Sequence, residues 1–139
     1  LVGRADRIDL LAEGAKLYDY KTGAPPSPSE QEFFNRQLLL EALMLSEGAF
    51  GDLGPQIVLQ ADYLKVGGTI SRRSAILDKI SMQQVRDDLI ALIAAFQDET
   101  THYTARRRVK TDAYPGDFDH LSRLGEWDVT DPPQTERLI

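Results

Sequence analysis

The stretch GRADRIDLLAEGAKLYDYKTG, residues 3–23, carries the reading that decides the fold. Residues 2–12 mix apolar and charged side chains around β-branched Val2 and Ile8. Glu13-Gly14 turns the chain, and AKLYDYKTG (15–23) returns, which predicts a β-hairpin. Side chains two apart along a strand share a face, so Asp19 and Lys21 project together. The hairpin brings Asp6 close to Asp19. Opposing Cβ atoms in such a ladder stand ~5 Å apart, a spacing at which two carboxylates can share one hard cation. Asp9 alternates to the other face and is expected to pair with Arg7.

Outward from the hairpin, Ala24-Pro25-Pro26 stops the second strand because proline cannot donate to a ladder. Ser27, Pro28 and Glu30 form a capping box, and the apolar run behind it predicts one buried helix from about Pro28 to Ser46. Gly48, Gly51 and Gly54 end that helix. Gln56–Val66 reads as a strand, Gly67-Gly68 as a two-residue hairpin turn, and residues 69–77 as the returning strand. Ser81 with Gln84 caps a last helix, which carries Val85, Leu89, Leu92, Ile93 and Phe96 at helical spacing and runs to about Tyr103. Beyond Arg106 only a short helix at 118–124 is expected. The order β-β-α-β-β-α implies an α/β (α+β) fold, a mixed central sheet with flanking helices. Residues 1–105 are assigned to the core, and 106–139 to an extension packing on it through Tyr114, Phe118, Leu121, Leu124 and Trp127.

Composition bounds the function. A chain of 139 residues suits one domain, and no apolar run approaches the ~20 residues a membrane span needs. Leu1-Val2 at the start reads as a piece of something longer. Having no cysteine excludes disulfides, thiolate zinc sites and Cys-ligated iron-sulfur clusters; a reducing cytoplasm is the expected compartment. His102 and His120 are too far apart to form a local metal motif. A net charge of −6 argues, by itself, against nucleic-acid binding. Positive charge is nonetheless gathered at Arg72-Arg73 and at Arg106-Arg107-Arg108 with Lys110.

A D-x-K triplet alone usually marks a solvated strand face, and Gln37 on an apolar helix can simply face the rim. The conjunction of Asp6, Asp19, Lys21 and Gln37, in that order, is more specific. Phosphodiester cleavage uses carboxylates that hold Mg²⁺, and a lysine that orients water or offsets charge growing on phosphorus.

These segments resemble a known signature. GRADRID (3–9), DYKTG (19–23) and QLLLEA (37–42) are similar to the motifs of RecB-like PD-(D/E)xK nucleases, and YPGDFDHLSRLGEW (114–127) resembles the end of AddB-type subunits. The resemblance implies a restriction-endonuclease-like core, metal ligation by Asp6, Asp19 and the Tyr20 backbone carbonyl, a catalytic Lys21, and Gln37 supporting the site or the DNA strand. It also implies a helix and a strand ahead of Gly3. Two positions depart from the pattern: Glu41 stands where the family often has Tyr, and Ala5 where a larger apolar residue is usual.

The expected activity is Mg²⁺-dependent cleavage of DNA in double-strand-break repair and recombination, with Mn²⁺ able to substitute. DNA, the rest of a parent chain and a helicase-nuclease partner subunit are the expected partners, with no membrane. No G-x-x-x-x-G-K-[ST] loop occurs, so an ATP-driven motor would lie elsewhere. The alternatives are a stand-alone RecB-like exonuclease, an inactive nuclease fold serving as a DNA-channel wall or subunit contact, and a plain α/β interaction module.

Overall fold

The computed structural model describes residues 1–102, 120, 121, 123, 125–127 and 130–132. Residues 1–91 and 92–139 form two compact units. In the first, β1 (Arg7–Leu11) and β2 (Gly14–Lys21) make the expected antiparallel hairpin. Its turn is Ala12-Glu13, one residue earlier than the sequence suggested, because Gly14 already pairs with Leu11. Gly14 has a φ of 151°, and a Cβ there would lie 2.3 Å from the Ile57 carbonyl oxygen. Glycine is what lets the neighbouring chain approach so closely. Arg7 faces Tyr18, and Asp6, one residue before β1, reaches the Tyr20 amide.

Strand β3 (Val58–Lys65) lies parallel to β2. Parallel neighbours need a crossover of a dozen or more residues, and helices α1 (Pro28–Phe33) and α2 (Gln37–Ser46) with a 3₁₀ turn at Gly51–Leu53 supply it. Strand β4 (Ser71–Ser74) is antiparallel to β3, giving a four-stranded mixed sheet of order β1-β2-β3-β4, and α3 (Met82–Gln97) follows. Among the described residues no helix is long and apolar enough to cross a membrane.

The single helix expected over 28–46 is two helices. Its start is as read: Ser27 Oγ accepts from Glu30 N at 3.2 Å while Glu30 Oε2 accepts from Ser27 N at 2.8 Å. The ladder then ends because Phe34 N and Asn35 N both donate to the Glu30 carbonyl, at 2.8 and 2.7 Å. Asn35 offers the restarting backbone a local acceptor, its Oδ1 taking Gln37 N at 3.4 Å. That break makes Gln37 the first residue of α2.

The second hairpin also differs. Lys65 pairs with Ser71, so the connection is 66–70 and Gly67-Gly68 is not a two-residue turn. Val66 N continues alongside β2, donating to the Lys21 carbonyl at 2.9 Å. At Gly67 a Cβ would stand 2.7 Å from the Thr22 carbonyl oxygen, so the chain keeps following β2 before it reverses. Helix α3 stops at Gln97 rather than Tyr103, since Asp98 Oδ1 accepts from both Thr100 N and Thr100 Oγ1 at 2.8 and 2.7 Å. The short helix expected at 118–124 falls largely outside the described residues, as do Tyr114, Phe118 and Leu124. Leu121, expected to pack, is 70% exposed.

One face of the sheet makes the core. Ala15 and Leu17 of β2 and Ala61 and Tyr63 of β3 pack with Leu38, Ala42 and Leu45 of α2, each leucine worth about 1.5–3 kcal/mol of burial. Val85 of α3 joins Leu39, Leu43 and Ile76 in a second cluster. Gln31, fully buried, ties α1 to the end of β4: its Nε2 donates to the carbonyls of Pro26 and Ser74, and its Oε1 accepts from Ile76 N.

Candidate active site

Alternation along β2 carries the core face into the site. Ala15 and Leu17 are apolar, and the next two positions on that face are Asp19 and Lys21. Asp19 is only 3% exposed, so its charge needs partners. Lys21 Nζ lies 2.7 Å from Asp19 Oδ2, an ion pair set at an angle that makes no hydrogen bond. Gln37 closes the triangle. Its Nε2 donates to Asp19 Oδ1 at 2.7 Å, and its Oε1 accepts from Lys21 Nζ at 3.1 Å.

Asp6 stands exposed at the rim, one residue before β1, with Oδ2 accepting from Tyr20 N at 2.9 Å. Asp9 forms the expected pair with Arg7 through two contacts, at 2.7 and 2.9 Å. The Tyr20 side chain belongs to that other face, its hydroxyl 3.5 Å from Arg7 Nη1. Asp19, Lys21 and Gln37 are therefore in mutual contact, Asp6 is held at the backbone amide between Asp19 and Lys21, and Asp9 is engaged by Arg7 instead.

Sequence reasoning about the site missed two residues. Tyr63 pairs with Asp19 across β2 and β3 and lies beneath Lys21, whose Nζ is 5.7 Å from the ring centre. Its hydroxyl donates to Asn35 Oδ1 at 3.3 Å and receives Leu38 N at 3.5 Å, tying the joint between α1 and α2 to the sheet. Burial pushes that hydroxyl up to about 12. Glu41 is the other. It lies one turn beyond Gln37 on the same helix face, is 5% exposed, and accepts from Gln37 Nε2 at 3.1 Å. Burial raises the Glu41 carboxyl above the ordinary range, opposed by the Gln37 hydrogen bond; the charges of Asp19 and Asp6 raise it further, and Lys21 lowers it. Signals for both existed in the i, i+4 spacing from Gln37 and the alternation of Tyr63 with Ala61.

A buried carboxylate, a lysine two residues along the same strand and a glutamine clamping both thus meet at the end of β2 on a mixed α/β sheet. The family model of the PD-(D/E)XK nuclease superfamily matches residues 1–117, and the chain belongs to that superfamily. No curated protein and no solved structure matches it.

Members of this superfamily typically use divalent metal ions. Among the described residues no three His, Asp or Glu side chains converge on one point as they stand, because the acids answer protein donors: Asp6 the Tyr20 amide, Asp19 the Lys21 ammonium and the Gln37 amide. The chemistry nonetheless fits. All donors are oxygen, as a hard cation requires. Asp19 pairs with Lys21, Asp19 and Glu41 share the Gln37 amide, and Glu41 Oε2 is buried with no hydrogen-bond partner.

Proposed function

We propose that this chain cleaves phosphodiester bonds of DNA with Mg²⁺, as the nuclease part of a helicase-nuclease acting in double-strand-break repair. The observation that carries the reading is the closed triangle of Asp19, Lys21 and Gln37, with Asp6 brought beside it by the hairpin. The assignment to repair rests on the resemblance of residues 114–127 to AddB-type subunits. In this reading Asp6, Asp19 and the Tyr20 carbonyl hold the metal. Such a cation supplies Lewis acidity toward phosphate oxygens and water. Lys21 orients the attacking water or offsets charge growing on phosphorus. Gln37 keeps Lys21 and Asp19 in register, and the buried Tyr63 floor excludes solvent beneath them. DNA, the remainder of a parent chain and a partner subunit complete the reading.

The test is cleavage of linear single- and double-stranded DNA with Mg²⁺, Mn²⁺, Ca²⁺ or EDTA. Mg²⁺ and Mn²⁺ support cleavage, while Ca²⁺, with its longer and looser coordination, does not. Undiminished cleavage in excess EDTA removes the metal from the account. No cleavage with any metal returns the fold to a DNA-binding wall or subunit contact.

A further inference from the structure

Glu41 has no assigned role in the site just described, yet its position is costly. A carboxylate 5% exposed, with one oxygen bonded only to Gln37 Nε2 and the other without any partner, forgoes hydration that nothing in the protein replaces. Its neighbours make matters worse, since Gln37 Nε2 is shared with Asp19 at 2.7 Å and Asp6 is also of like charge. A residue needed only to position Gln37 could be a neutral amide. What Glu41 adds over glutamine is a negative charge close to Asp19, with which it shares the Gln37 amide.

We propose that Glu41 is a metal ligand of this centre, supplying an oxygen from α2 alongside the carboxylates contributed by the hairpin. This rests on the reading of the site as metal-dependent. The charge count favours it: Asp6, Asp19 and Glu41 against Lys21 leave a surplus of two negative charges, which one divalent cation balances. The geometry favours it as well. The bonded oxygens of Asp19 and Glu41 both lie within 3.1 Å of one nitrogen, so a short movement of the Gln37 amide lets both face the same ion.

The test measures Mn²⁺ binding to the full chain by calorimetry and by electron paramagnetic resonance, together with thermal melting, for wild type, Glu41→Gln, Glu41→Ala and Asp19→Asn. Glu41→Gln keeps shape and can still accept from Gln37, so a purely positioning role survives it. The expected result is that Glu41→Gln weakens Mn²⁺ binding about tenfold or more. Metal-free Glu41→Gln melts above wild type, having lost a buried like charge, and Mn²⁺ raises the melting temperature of wild type far more than that of the variant. Wild-type affinity in Glu41→Gln, with loss only in Glu41→Ala, overturns the proposal. If Asp19→Asn loses the ion and Glu41→Gln keeps it, Glu41 is no ligand while the metal site stands. Failure of wild type to bind Mn²⁺ overturns both.

Discussion

Strand β2 and helix α2 meet at two places of opposite character. Toward the start of β2, Ala15 and Leu17 share a dry core with Ala42 and Leu45. At its end Asp19 and Lys21 meet Gln37 and Glu41, all tied by hydrogen bonds or an ion pair. One pair of elements makes both, and the period of two in the strand makes them one continuous face. The apolar end fixes the position of the helix on the sheet. The polar end uses that fixed position to hold charges that would otherwise hydrate and separate. Asp62 shows that burial alone does not make a site: it is equally buried on the opposite face, where Gln60 and Arg72 meet its Oδ2 at 2.5 and 3.5 Å with no lysine-glutamine triangle around it.

The two ends can be separated by substitution. The largest effect on chemistry is expected from Lys21→Ala, with cleavage per folded molecule falling on the order of 10²–10³-fold. Single-turnover rates, corrected for the folded fraction, measure it; a rate within a few-fold of wild type would mean the polar end is not catalytic. At the apolar end Leu45→Ala should cost about 2–5 kcal/mol of stability in urea unfolding while leaving the rate per folded molecule within a few-fold. A large rate loss without unfolding would show that the two ends are not separable.

A smaller effect links the ends through Tyr63. The hydroxyl titrates at 10.0 in its ordinary state and is pushed up to about 12 by burial. Between those values the unfolded chain has lost the proton and the folded chain holds it, so stability falls as pH rises through the interval. Tyr63→Phe should flatten that fall by on the order of 2 kcal/mol. Denaturation curves between pH 9 and 12 compare the slopes, and identical slopes in both proteins would put Tyr63 outside the ionising contacts.

Much of this was legible in the sequence because period-two patterns are local. The hairpin, the shared face of Asp19 and Lys21, the pairing of Asp9 with Arg7 and the capping box at Ser27 each depend on residues a few positions apart. The parallel pairing of β2 with β3 was not legible, since it depends on the path of an entire crossover. The break between α1 and α2 was hidden because Phe34-Asn35-Arg36 contains neither Gly nor Pro; it depends on Asn35 finding Tyr63, 28 residues away. Glu41 was hidden for the opposite reason. A glutamate within an apolar helix reads as a departure from pattern until the fold places it beside Gln37.

Catalysis is proposed for the face that carries Asp19 and Lys21 with Asp6 at its rim, and strand alternation allows a direct test. Asp6 and Asp9 are three residues apart on the same segment and are of equal charge, but Asp6 accepts from the Tyr20 amide, next to Asp19, while Asp9 is engaged by Arg7. The rate of DNA cleavage by folded Asp6→Asn and Asp9→Asn, at saturating Mg²⁺, decides between the faces. Asp6→Asn is expected to abolish cleavage, while Asp9→Asn retains most of it and loses at most some stability. An active Asp6→Asn beside an inactive Asp9→Asn would contradict the assignment and the face on which the site is built.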